Sequence, residues 1–238
     1  MLFWYNKTIF EVSNKRKVKR FVIMEQNIWV SFLGIAFGWF LGLLTPIITS
    51  KYQEHEKAKS LKKSILCEID ELRIVMANVV YILESKFNGL NYELIDYMLE
   101  IYAKYNGKNE YKDLEKRLKD TRKISEEELL LINDIKRDIE FGKISSLKKY
   151  YLPYLQAKIN ELSSLDNEFQ RKSFELIALL SLFNDNVEES KFFYKLTFDS
   201  KVSEENHQIA KQVLNDNHHF IARQARKIVD KINSFNNE

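Results

Sequence analysis

Turn-forming residues are scarce in this sequence. It has six Gly and two Pro, and half of these (Gly34, Gly38, Gly42 and Pro46) fall between residues 34 and 46. Residues 51–238 keep three Gly and one Pro, too few for a β-sandwich or a doubly wound α/β fold. An all-α chain is expected. Cysteine is scarcer still. One thiol, Cys67, excludes an internal disulfide framework and fits a reducing compartment. A charge excess of one sign is also missing from most of the chain. The net +3 divides into six Lys/Arg against two Asp/Glu over residues 1–50, and 31 against 32 over the remainder. The basic excess therefore belongs to the N-terminal stretch, and a nucleic-acid partner is not expected.

Residues 26–50 carry no Asp, Glu, Lys, Arg or His. The apolar run from Ile28 to Thr49 would make a helix about 33 Å long, the thickness of a bilayer core. Trp29 stands where an interfacial anchor belongs, with Lys51 and Tyr52 at the other edge. The run is longer than a signal-peptide core, and no clean small-x-small cleavage site follows it. The expected organisation is a basic segment 1–25, a transmembrane helix 26–50 and a helical-bundle domain 51–238.

That helix has a polar-small face. At 100° per residue, Ser31, Gly34, Gly38, Gly42, Thr45 and Thr49 share about 80° of arc. Apolar burial cannot drive association in lipid, so helices there pair through close backbone approach, which small residues spaced by four permit. The pattern predicts a glycine-zipper packing face and a homo-oligomer. A ring of such helices would turn the Ser and Thr hydroxyls toward a pore.

Close to the span, five basic residues stand before it (Lys15, Arg16, Lys17, Lys19 and Arg20) and five after it (Lys51, Lys57, Lys59, Lys62 and Lys63), so the positive-inside rule ties. A start at Met24 would remove the first group. On that reading the C-terminal domain is cytoplasmic, on the inner side of the cell membrane.

Beyond the span, Leu61, Ile65, Ile69, Leu72, Met76, Val79, Leu83 and Phe87 recur at helical spacing, which predicts a long amphipathic helix ended by Gly89. That helix either continues from the span or breaks just after Pro46. Asn91 should cap a helix carrying Leu94, Ile95, Met98, Ile101 and Tyr102. Residues 107–123 read as a short exposed helix or a connector. Ser125 and Glu128 form a capping box before a helix with Leu129, Ile132, Ile135 and Ile139 as its seam. A long helix is expected over 146–184, with seam residues including Ile159 and Phe174, followed by a turn at Asn184–Asp185–Asn186. A short aromatic helix (Phe192, Phe193 and Leu196) comes next. Ser203 opens a last helix to about Ser234. Together these predict an antiparallel bundle with coiled-coil-like seams.

Chemistry is thinly represented. Gly107-Lys108-Asn109 and Gly142-Lys143-Ile144-Ser145 lack the earlier glycine and the strand of a phosphate loop. The Arg-x4–6-His signature of HEPN-type ribonucleases is absent. Asp216, His218 and His219 are the best metal candidates, but no second Glu-x-x-His pair joins them. A solvated helix surface, with one histidine donating a hydrogen bond, is expected instead. Glu68, Asp70 and Glu71 are read as facing water, and Cys67 as a buried structural thiol. Lys148, Lys149, Tyr150, Tyr151 and Tyr154 form the densest basic-aromatic cluster, a candidate ligand or lipid surface.

No catalytic, metal or cofactor site is expected, so the chain reads as non-enzymatic. The expectation is a membrane-anchored interaction protein whose partners are lipid, further copies of itself and a protein or signal bound by the bundle. In layout alone it also resembles small membrane-perturbing effectors of toxin or antiphage systems, in which a cytoplasmic cue would open a pore.

Overall fold

Local sequence rules set the helix ends in this computed structural model. It describes the backbone of residues 2–105, 111–140 and 147–235, and the side chains of residues 32–105, 111–135 and 147–235. The order is α1 (Leu2–Phe87), α2 (Tyr92–Ala103), α3 (Lys112–Thr121), α4 (Glu126–Glu140), α5 (Pro153–Ala157), α6 (Asn167–Leu196) and α7 (Glu204–Asn233). A 3-10 turn, Ile159–Ser164, follows α5, and no strand occurs among the described residues. The fold is all-α, with one long apolar N-terminal helix and a bundle. The chain divides into two compact units, Met1–Lys59 and Ser60–Glu238.

In the first unit α1 is long and apolar enough to cross a membrane. Its most apolar window has a mean hydropathy of 1.9 and is 0% buried. Pro46 lies inside the helix.

In the second unit the rest of α1 buries the predicted seam. Leu61, Ile65, Ile69, Leu72, Met76, Val79 and Leu83 are all in the core. Ile74, Ala77 and Val80 are buried as well, so neighbours cover α1 on more than one stripe. Gly89 turns the chain with φ 72°, a left-handed conformation that costs glycine little. The Asn91 carboxamide then accepts the Leu94 N–H at 2.8 Å and starts α2. α2 runs back along α1. Tyr102 donates to Asn78 at 2.6 Å, and Arg73 reaches the Lys104 carbonyl at 3.2 Å. The Ser125–Glu128 capping box forms in both directions, at 2.9 and 3.2 Å.

The second hairpin is α6–α7. Asp166 caps α6 by accepting the Phe169 N–H at 2.7 Å, and Ser203 caps α7. The antiparallel register is fixed by Lys231 paired with Glu175, and by Lys172 donating to the Ser234 carbonyl at 2.8 Å. The hairpin docks on α1 through Lys62–Asp166 at 3.2 Å and Arg226–Glu84. Along α7, Leu214, Ile221, Ala225, Ile228 and Ile232, set three, four or seven residues apart, are buried, and Asn217 on the same seam is half-buried.

Several expectations are corrected. The helix expected over 146–184 is broken between Lys158 and Asp166, because Asp166 caps a new helix and the 3-10 turn separates it from α5. No turn occurs at Asn184–Asp185–Asn186, which lies inside α6, and the aromatic segment 192–196 is the end of that helix. Asn184 stays helical because its carboxamide bonds to another segment and does not compete for its own backbone. The α4 seam is not buried throughout. Leu129 is in the core but Ile135 is 52% exposed, because at 100° per residue it stands about 120° round the helix from Leu129. Ile139 lies outside the described side chains. Ile159 and Phe174 are exposed, because a seam drawn through the break loses its register there. The segment over 107–123 contains α3, which buries Leu118.

Candidate functional site

Within α1, a Cβ added at Gly34, Gly38 or Gly42 would meet nothing within 4 Å. The row is therefore open along three successive turns. Thr45 Oγ1 donates to the Leu41 carbonyl at 2.7 Å, and Thr49 Oγ1 to the Thr45 carbonyl at 2.8 Å. Pro46 has no N–H, so the Gly42 carbonyl lacks its usual donor four residues on. In hydrocarbon such a carbonyl seeks a donor from elsewhere. The side chain of Ser31 lies outside the described residues.

The basic-aromatic cluster is a strap across the bundle, and its members diverge. The Asn184 carboxamide holds the Tyr150 peptide at both ends. Its oxygen accepts the Tyr150 N–H at 2.9 Å, and its nitrogen donates to the Tyr150 carbonyl at 2.7 Å. Tyr150 turns inward against Phe183, at 6.2 Å between ring centroids, and burial raises its phenol pKa. Lys149 is tied to Glu188 at 2.8 Å, and that hydrogen bond raises the ammonium pKa and lowers that of the carboxyl. Tyr151, Tyr154 and Lys148 face outward. Three of the five side chains are thus free to meet a ligand, and two anchor the strap.

No family model matches this chain, and no curated protein or solved structure is similar to it. The functional reading therefore rests on its own residues.

Of the carboxylates expected to face water, each has a partner. Glu68 accepts the Tyr154 and Leu155 N–H groups, both at 2.8 Å, and so caps the first turn of α5 from a neighbouring helix. Asp70 pairs with the buried Arg73 at 2.6 Å, and burial raises its pKa despite that charge. Glu71 accepts the Tyr105 hydroxyl at 2.8 Å. Glu68 and Glu71 are bonded because other segments approach α1 beside its seam, whereas Asp70 pairs within α1, three residues from Arg73. Cys67 is exposed, not buried, because it lies one residue past Leu66 and off the seam. It lines a half-open cavity of about 350 Å³ with Lys63, Ile69, Asp70, Lys104 and Phe235.

His218 is not on a solvated surface. It is 4% exposed and packs at 5.9 Å from the Phe87 ring, with His219 at 4.6 Å. The α1 terminus docks there. Asp216 is exposed, and among the described residues no three His, Cys, Asp or Glu side chains gather as a metal site.

Sequence reading missed the clamps made by Asn184, Asn133 and Glu68. Each polar group sits near a core stripe. Its partner is 34 to 87 residues away, and no local pattern encodes that.

Proposed function

We propose that this chain is a single-pass membrane-anchored interaction protein. Its spans associate through Ser31, Gly34, Gly38, Gly42, Thr45 and Thr49, and its cytoplasmic bundle binds a partner or signal. The observation that carries this reading is the coincidence, on one face of an exposed apolar helix, of three glycines with nothing against them and a carbonyl stripped of its donor by Pro46. A second helix would supply both the close backbone contact and the missing hydrogen bond. The role is associative and not catalytic. Lys148, Tyr151 and Tyr154 are the outward groups of the strap that would meet a ligand or lipid headgroup.

The test is chemical cross-linking of the full chain in membranes. Gly38→Leu should collapse the oligomer ladder to monomer. An unaltered ladder would remove the glycine face from the account.

A second reading is favoured by the polar groups on that same face. Thr45, Thr49 and the bare Gly42 carbonyl would line water if several spans formed a ring, as in a membrane-perturbing effector of a toxin or antiphage system. Depolarisation on overexpression that disappears with Gly38→Leu would select this reading. A silent membrane would select the scaffold.

A further inference from the structure

The half-open cavity of about 350 Å³ lies where α1, the end of α2 and the end of α7 meet. Leu66, Ile69, Ile232 and Phe235 make its apolar floor, and Lys63, Cys67, Asp70 and Lys104 its polar edge. Small-molecule sites run from about 300 to 1,000 Å³, so this one suits a compact ligand.

Net charge does not select the ligand. Lys63, Lys104 and Arg73 stand against Asp70, Glu71 and Glu100 around the cavity. Hydrogen-bonding capacity is more selective. Each carboxylate is engaged: Asp70 with Arg73 at 2.6 Å, Glu71 with the Tyr105 hydroxyl at 2.8 Å, and Glu100 with Lys104 at 2.6 Å. The helix-end carbonyls of Lys104, Ile232 and Ser234 are engaged too. They accept from Arg73 at 3.2 Å, the Phe235 N–H at 3.0 Å and Lys172 at 2.8 Å. Donors are left over. Lys63 makes no ion pair or hydrogen bond among the described residues. Lys104 gives one N–H to Glu100, and the buried Arg73 keeps an Nε–H without a partner. Arg73 bonds to Asp70 and to Lys104, so its charge stands directly behind the polar edge.

We infer that this cavity binds a small carboxylic acid with an apolar body, its carboxylate on the Lys63 and Lys104 edge and its hydrocarbon on the floor of Leu66, Ile69, Ile232 and Phe235. A carboxylate brings acceptors only and a single negative charge, which match the spare donors and the one ammonium without a partner. Hydrogen bonds between two charged groups are about twice as strong as neutral ones. Asp70 is the one acid on the edge. Arg73 offsets its charge and burial raises its pKa, so it opposes an incoming carboxylate less than a free aspartate would. The inference goes beyond the self-association proposed above and does not depend on it, since every group named lies in the second unit.

Cys67 is the one cysteine of the chain and lies on this edge, so its alkylation reports on the cavity alone. The full chain in membranes is treated with iodoacetamide, a neutral reagent, with and without octanoate. At about 3 mM, octanoate should slow the reaction at least about three-fold, as millimolar affinity for about ten non-hydrogen atoms implies. Octanol carries the chain without the charge, and acetate the charge without the chain. Neither should slow it by more than about 1.5-fold at the same concentration. Lys63→Gln should reduce the octanoate effect to that level. Lys211→Gln should keep it, since Lys211 is exposed and about 30 Å along α7 from Ile232. No slowing by octanoate overturns the inference, as does equal slowing by octanol, by acetate or in Lys63→Gln. Octyl phosphate tests a lipid headgroup, and stronger slowing by it than by octanoate would replace the carboxylic acid with a phosphate. In Gly38→Leu chains the octanoate effect should persist whether or not the oligomer ladder does, which keeps this result separate from the glycine face.

Discussion

Arg226 meets Glu84 at two points, Nε to Oε1 at 2.6 Å and the second guanidinium nitrogen to Oε2 at 2.5 Å, while its plane lies over the Tyr97 ring at 4.5 Å. The pair joins α7 to α1, and the two side chains are 31% and 20% exposed. A fork this well matched is worth more than a surface ion pair, because lysine cannot reproduce either the two bonds or the stacking. Arg226→Lys should cost about 1 kcal/mol, and Arg226→Leu about 2–3 kcal/mol, since the latter strands Glu84 half-buried. Denaturant midpoints of the two variants measure this. An Arg226→Lys midpoint equal to that of the native chain would show that charge alone matters.

His218 should make stability depend on pH. Burial, with Lys86 and His219 adding repulsion, lowers its pKa from 6.5 to about 4. Between those values the unfolded chain binds a proton that the folded chain refuses, so acid favours unfolding. The contribution is full above about pH 6.5, falls as pH drops toward 4 and levels off below that, for a total of about 3 kcal/mol at 1.36 kcal/mol per unit. His218→Leu keeps the apolar contact with Phe87 and should flatten stability between pH 7 and pH 5. An unchanged slope in that window would assign the pH dependence to other groups.

Periodicity carried most of the fold. The α1 seam, the α2 core and the α7 core are buried as spaced, because in each a single helix face meets one neighbouring layer. Caps were legible for the same reason. Asn91, Ser125 and Ser203 act on donors three residues away. The errors share a cause too. Between Lys158 and Asp166 the apolar spacing continues across a break, so hydrophobic pattern alone joins α5 to α6. Only the capping behaviour of Asp166 separates them. Asn184, Asn133 and Glu68 look like ordinary polar residues until a distant segment is placed beside them. For the candidate site, the glycine stripe was legible in the sequence. The division of the basic-aromatic cluster into inward Tyr150 and outward Tyr151 was not, since it depends on Phe183 and Asn184 lying behind it.

Glu68 offers a direct reading of the strap. Its carboxylate takes the two N–H groups that begin α5, where negative charge is favoured by the helix end. Glu68→Gln keeps an acceptor for only one of them and should cost about 1 kcal/mol, while Glu68→Ala should cost about 1–2 kcal/mol. Amide hydrogen exchange at Tyr154 and Leu155 should quicken in both variants before global unfolding does. Protection unchanged at those two amides would mean that the burial of Leu152 and Leu155, and not the cap, holds the strap.

The Gly89 turn depends on two features at once. Its φ of 72° is strained for any residue with a Cβ. A Cβ placed there would also stand 2.9 Å from the Asn133 nitrogen. That nitrogen donates to the Leu90 carbonyl at 2.8 Å, while the Asn133 oxygen accepts the Leu90 N–H at 2.8 Å. One carboxamide thus satisfies both backbone groups of Leu90 at the α1–α2 corner and ties the middle of α4 to it. Gly89→Ala should therefore destabilise by the backbone strain, about 1–2 kcal/mol, plus part of the clamp. Asn133→Ala removes the clamp without strain and should cost about 2 kcal/mol, because the Leu90 groups lose both partners. The double variant distinguishes the contributions. If the clamp is lost in Gly89→Ala, adding Asn133→Ala should cost much less than it does alone, whereas full additivity in thermal or denaturant unfolding would show that the carboxamide shifts aside and keeps its bonds.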